Sequence, residues 1–269
     1  MLETLFTSLP PFMRQADLLT TYGLLTGIIW LRYFIVAGLF YFLLWGRPAE
    51  RVRARRLSPR APQGDVVRHE VKMSLVSSMI YAVPGAIVME AFKAGHTAIY
   101  TGTPSALGFM LIPLSILTYL FIHDTYFYWT HRLMHLPALF KATHLTHHRS
   151  RQPSPWAAFS FHPWEAILSA WLLPVCAFFI PIHAGAVFFL LIFMTLCSVI
   201  NHAGWEILPR MVTDGPVGRL LISASHHNVH HRDYNANYGL YFRFWDRLMG
   251  TDKGLADPVS PSGATLAKV

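Results

Sequence analysis

Of 269 residues, 53% are hydrophobic and only 13% are charged, about half the charge that a soluble domain carries (roughly 25%). With a mean hydropathy of +0.36, this excludes a water-exposed globule and favours a membrane protein built from spanning helices. The net charge of +8 does not indicate nucleic acid: Arg47, Arg51, Arg53, Arg55, Arg56 and Arg60 lie together directly after an apolar stretch, where the positive-inside rule accounts for them.

Residues 1–21 show no basic segment followed by a small-residue cleavage site, so no removable signal peptide is expected; the segment is read as lying along the membrane surface. The first predicted span is Tyr22 to Trp45, interrupted only by Arg32, whose long side chain can snorkel or face protein. Residues 46–70, with Pro48, Pro59 and Pro62, form a basic cytoplasmic loop. The second span is Val71 to Phe92, with Pro84 expected to kink it. The third, Ala106 to Trp129, is longer than a bilayer requires, so its last turns are expected to emerge as continuous helix. Residues 130–251 are a histidine-rich region that includes an apolar hairpin at 166–200. Pro174, Pro181 and Gly185 break the hairpin, which is read as two spans with Ile180 to Gly185 as the tip. Residues 252–269 are a Pro/Gly/Ser-rich tail. The expected fold is all-α: an integral-membrane helical bundle of four to five spans in hairpin-like pairs, with a cytoplasmic histidine-rich helical cap. Cys176 and Cys197 both lie in apolar runs and give neither a thiolate metal site nor a disulfide framework.

Thirteen of the fifteen histidines fall between His123 and His231, and eight of them occupy three words. These are His131-Arg-Leu-Met-His135, His144-Leu-Thr-His147-His148 and His227-Asn-Val-His230-His231. On a helix, positions i, i+3 and i+4 share a face, so each word is expected to aim its imidazoles in one direction. Imidazole is the commonest protein ligand for zinc, iron and copper, and eight exceed what one tetrahedral ion uses, so a paired-metal site is expected. With the basic loop in the cytoplasm, counting spans brings all three words to that same face.

His202 follows the hairpin and is read as a further ligand. His162 and His226 are ligands or hydrogen-bond partners of ligands, His226 because it points about 100° away from its neighbour His227. Glu165 and Glu206 are carboxylates placed to orient or ligate, and Asp124 is a candidate to accept the second N–H of a ligating imidazole. His123 lies two turns deeper, as a polar residue of the bundle. His69, His96 and His183 are read as ordinary, His183 on the opposite side of the membrane.

At this point the chain resembles the sterol desaturase and fatty acid hydroxylase superfamily of integral-membrane, non-haem di-iron enzymes. The match runs from Asp124 to Thr251. It rests on His-x3-His, His-x2-His-His and His-x2-His-His in order, on the blocks Phe161-His162-Pro-Trp-Glu165 and Asn201-His202-Ala-Gly-Trp-Glu206, and on the C-terminal Asn237-Tyr-Gly-Leu-Tyr-Phe and Phe244-Trp-Asp-Arg-Leu-Met-Gly-Thr251. The resemblance implies iron ligands at His131, His135, His144, His147, His148, His202, His227, His230 and His231, two iron ions (with zinc as a substitute in isolated protein), and O2-dependent hydroxylation or desaturation of a membrane lipid of the sterol, hopanoid, carotenoid or fatty acyl class. It also implies a separate electron donor, cytochrome b5-like or ferredoxin with its reductase, since no haem motif or dinucleotide fingerprint occurs in the sequence. A bacterial inner membrane is expected rather than the endoplasmic reticulum. The competing readings are a membrane di-zinc hydrolase, which needs a carboxylate base, and a metal transporter, which should place its ligands at mid-membrane.

Overall fold

A computed structural model describes residues 11–256 and Pro258. The surface segment expected at 1–21 lies outside the described residues at 1–10, as does nearly all of the tail beyond 256; Pro11–Gln15 is a short helix.

Among the described residues, four helices are long and apolar enough to cross a membrane. The first, α1 (Leu18–Tyr41), continues through a π-helical turn at Phe42–Gly46. It is followed by α2 (Gly64–Lys93) and α3 (Ala106–Met134). Asp17 caps α1 by accepting from Thr20 N, and Ser105 caps α3 by accepting from Gly108 N, which satisfies N–H groups that a helix start leaves free. The helices are apolar outside and small or polar inside. Leu19, Leu31 and Met110 are exposed, while α1 buries Thr21, Thr26, Tyr33 and Ala37, and α2 buries Ser74, Ser77, Ser78, Ala82 and Ala86. This is the pattern of helices that meet in lipid, where small residues let backbones approach and hydroxyls bond across the interface. Ser74 Oγ and Tyr33 Oη both donate to Trp156 O. Helix α2 runs through Pro84 and α3 through Pro113. At 29 residues, α3 is about 43 Å long, well beyond a hydrocarbon core of about 30 Å, and it runs as continuous helix through His131 in its last turn.

The hairpin departs from expectation in its first arm. In place of one continuous span there are two short helices, α6 (Pro163–Ala170) and α7 (Leu172–Phe179), after the short α4 (Pro137–Thr143) and α5 (Leu145–His148). Pro174 is the cause. It has no N–H for Ala170 O and its ring crowds that carbonyl, so the helix stops at Ala170 and restarts with the proline in its first turn. The second arm, α8 (Ala184–Asn201), is a full span. At the tip, β2 (Ile182–His183) pairs in parallel with β1 (Ile99–Tyr100) from the loop between α2 and α3. His183 bonds Gly102 O there, at the end remote from the histidine words.

At the other end, the basic segment is knitted into the cap. Leu57 N donates to Gly204 O and Glu206 N to Arg55 O, and the Arg56 guanidinium lies over Trp45 and Trp205, at 5.0 and 5.8 Å from the ring centroids. Gly204 has φ +71°, and a Cβ there would stand 2.8 Å from both Ser58 Oγ and the Trp45 ring. The cap is completed by α9 (Ala224–Asp233) and α10 (Phe244–Leu248).

Candidate metal centre

The nine histidines of the expected ligand set gather into two groups. His131, His135, His144, His148 and His230 form one; His147, His202, His227 and His231 form the other; in each, the ligating nitrogens lie within 4.8 Å of one another. The words do not each serve one direction, as periodicity alone suggests. The first belongs wholly to the five-histidine group, but the second and third are split between the groups. His144 sits at a break between α4 and α5 with φ −122°, so the second word is not one continuous helix face. On α9, His230 turns one way while His227 and His231 turn the other.

The imidazoles are oriented from behind. Nδ1 donates to a backbone carbonyl in His131 (Tyr238 O, 2.8 Å), His147 (Ser160 O, 3.3 Å), His202 (Ser198 O, 2.7 Å), His230 (Ala236 O, 2.8 Å) and His231 (Ser150 O, 3.1 Å). A carbonyl only accepts, so each Nδ1 carries the proton and each Nε2 presents a lone pair. The Nε2 atoms of both groups face one another. Nε2 of His147 is 3.2 Å from that of His202, which is 2.9 Å from that of His227, and the His131–His144 and His148–His230 pairs stand at 3.0 and 3.1 Å. His147 and His202 have no proton to share across their gap, so the arrangement is repulsive unless a cation sits between them. Nitrogens about 2.1 Å from one ion lie roughly 3.0–3.4 Å apart, so the donor set fits a metal in each group. Burial, then the neighbouring imidazoles, hold His144, His147, His148, His227, His230 and His231 well below the usual histidine range. They are therefore neutral near pH 7 and ready to ligate without losing a proton.

Three carboxylates support this frame, each differently. Glu165 Oε1 is 2.8 Å from His144 Nδ1, both side chains being buried. Glu206 accepts from Leu208 N and Ser225 N, each at 3.0 Å, and so places a negative charge at the start of α9, where the helix dipole favours it. Asp124 corrects the expectation: it contacts no ligating imidazole. It shares a face with His131 but lies seven residues, about 10 Å, away along α3, and its Oδ1 accepts from the backbone N–H groups of Leu240, Tyr241 and Phe242.

Neither His162 nor His226 joins a group. His162 caps α6, its Nδ1 accepting from Trp164 N at 3.3 Å, and His226 Nδ1 accepts from Ser223 N at 3.2 Å in the capping box of α9. Burial, with Arg243 nearby, pushes His226 down to about 3. His162→Ala is expected to leave metal content unchanged and to cost about 1 kcal/mol, the value of a lost N-cap; metal analysis and thermal unfolding of the variant check both.

Residue-by-residue reading passes over Asn237 and Asp246. Asn237, at φ +53°, donates from Nδ2 to His226 O and Gly254 O and accepts from Lys253 N. Asp246 accepts from Tyr238 N, Gly239 N and Thr251 Oγ1. Together they fix the segment whose carbonyls at 236 and 238 orient His230 and His131. The signal available was their place in the C-terminal blocks.

Beside the histidines, among the spans, lies a cavity of about 270 Å³ with mostly apolar walls. Phe161 lines it and packs on His147 at 5.2 Å, Phe127 lines it and packs on His131 at 4.9 Å, and Ser198, also in its wall, supplies the carbonyl that orients His202. The cavity therefore shares a wall with both groups.

The profile of the fatty acid hydroxylase family matches residues 116–251, half of the chain. A Delta(7)-sterol 5(6)-desaturase of Gibberella zeae is 27% identical over 234 residues, covering 85% of this chain and 67% of that protein. One from Aspergillus fumigatus is 30% identical over 231 residues, 82% of this chain and 65% of that protein. Human lathosterol oxidase is 30% identical over 146 residues, 54% of this chain and 47% of its own length. No solved structure matches. With the profile running from within α3 to the end of the C-terminal blocks, and the spanning helices and paired histidine groups in place, the chain belongs to the fatty acid hydroxylase family, within the sterol desaturase and fatty acid hydroxylase superfamily of membrane oxidoreductases.

Proposed function

We propose that the two histidine groups hold two iron ions and that the protein uses O2 to hydroxylate or desaturate a membrane lipid. The observation that carries this reading is the pair of buried, all-nitrogen groups set against an apolar cavity inside the spans. Neutral imidazoles without carboxylates suit iron, zinc or copper rather than magnesium or calcium, and bound iron with O2 supplies an oxidant able to attack an unactivated C–H bond.

The chain's own residues do the rest. The carbonyls of Tyr238, Ser160, Ser198, Ala236 and Ser150 hold the ligating rings in one tautomer and orientation. Phe127 and Phe161 screen the groups from water on the cavity side, and the cavity holds a lipid carbon beside them without its leaving the bilayer. The relatives are named for sterols, so a fused-ring lipid is the first substrate class to try. By the charge bias of residues 46–70 the site faces the cytoplasm, and the same arginines offer an acidic electron donor a docking face. The relatives cited are fungal and mammalian, and lend no weight to a bacterial inner membrane. The hydrolase reading is weakened because Glu206 is taken up by two backbone N–H groups and Glu165 Oε1 sits against His144 Nδ1.

Lipid mass spectrometry of cells with and without the protein is expected to show a product heavier by one oxygen or lighter by two hydrogens, and iron-loaded protein is expected to consume O2 when reduced. Stoichiometric zinc with turnover under nitrogen is the result that overturns the proposal.

A further inference from the structure

Arg32 lies inside a spanning helix and forms no ion pair among the described residues. Arg32 is the midpoint of the 29-residue span Leu18–Gly46, about 21 Å along the helix from either end, beyond the reach of its side chain. Its Nε is buried and has no hydrogen-bond partner among the described residues. The buried acids of neighbouring spans are already engaged: Glu70 by Ser154, Asp124 by three backbone N–H groups. An ionisable group at this depth is costly, and where it persists it faces a partner or a substrate path. Arg32 lines the cavity. Two other polar rings in that wall are less available: His123 Nδ1 and Tyr241 Oη are 3.0 Å apart and bonded to each other.

A guanidinium is a planar set of donors with nothing to accept, so what completes it must bring an acceptor. We infer that Arg32 recognises an oxygen on the substrate: the cavity takes a lipid bearing a hydroxyl, carbonyl or carboxylate and discriminates against the corresponding hydrocarbon. This rests on the cavity being the lipid site proposed above. It narrows the substrate class, since an unfunctionalised hydrocarbon leaves the arginine desolvated and unpaired, whereas a sterol-like alcohol or a fatty acid satisfies it.

The test uses matched pairs, 5α-cholestan-3β-ol against 5α-cholestane and octadecanoic acid against octadecane, each doped equally into nanodiscs holding the full-length protein. Lipid retained after purification is read by mass spectrometry. The wild type is expected to retain the oxygenated member of at least one pair about tenfold over its hydrocarbon, the scale of a hydrogen bond to a charged group; which pair responds tells an alcohol from a carboxylate. Arg32→Leu is expected to bring that ratio below about twofold, with Arg32→Lys intermediate. Equal retention by the wild type, or an unchanged ratio in Arg32→Leu, overturns the inference. If Arg32→Leu fails to fold, as judged by gel filtration, the ratio in Arg32→Gln decides in the same way. The readout needs neither metal nor turnover. A preserved preference in a protein that consumes no O2 sinks the oxidase reading alone, and O2-dependent turnover without the preference sinks this inference alone.

Discussion

His147→Ala and His230→Ala are each expected to abolish turnover, by more than about a hundredfold, and to remove one ion rather than both. The magnitude follows from the cost of losing even an outer partner of a metal ligand, about 10–100-fold; losing a ligand itself exceeds it. The selectivity follows from the geometry. His230 belongs to the five-histidine group and His147 to the four-histidine group, so each substitution opens one cage and leaves the other complete. Iron per chain, measured after gel filtration in detergent, should fall from two to about one in either variant, and membrane insertion should be unchanged. His183→Ala, at the opposite end of the molecule against Gly102, is the matching control and should stay close to wild type. Near-wild-type turnover in either ligand variant removes the assignment.

Asp246→Ala is expected to be the most damaging substitution outside the histidines. The buried carboxylate accepts from Tyr238 N at 2.8 Å, Gly239 N at 2.7 Å and Thr251 Oγ1 at 2.7 Å. Alanine leaves three donors without an acceptor, at a cost of about 3 kcal/mol or more. The backbone has little room to adjust, because a Cβ on Gly239 would already stand 2.6 Å from Phe242 O. Tyr238 O and Ala236 O, which orient His131 and His230, shift with the segment, so the five-histidine group should lose affinity by about 10–100-fold. The four-histidine group takes its carbonyls from residues 150, 160 and 198 and should be spared. Thermal unfolding and iron titration separate the two effects; equal weakening of both ions sinks this account.

The spans were legible because an apolar run of twenty or more residues has few other fates. The histidines that gather into the two groups were legible because i, i+3 and i+4 spacing is rare by accident. The division of labour within the words was not, since it depends on where α4 stops and on how α9 rolls against α8. The orienting acceptors at Ser150, Ser160, Ser198, Ala236 and Tyr238 were invisible for a simpler reason: every residue has a carbonyl, and only the fold selects which ones face an imidazole. Asp124 shows the converse. Its proximity to the His131 stripe in sequence pointed to an imidazole, yet on the folded chain three converging N–H groups claim it. Pro174 was recognised as a breaker, but that it would divide the first arm at Ala170 follows only from tracing which carbonyl its ring displaces.

Both groups close with α9: His230 completes one, His227 and His231 the other. The earlier ligands are made first and wait with the cages open until the ribosome has passed residue 231 and the last transmembrane segment is in place. If the groups hold ions as proposed, capture is therefore a late act of biogenesis. A nascent chain stalled before His227 has every spanning helix yet lacks histidines from both groups.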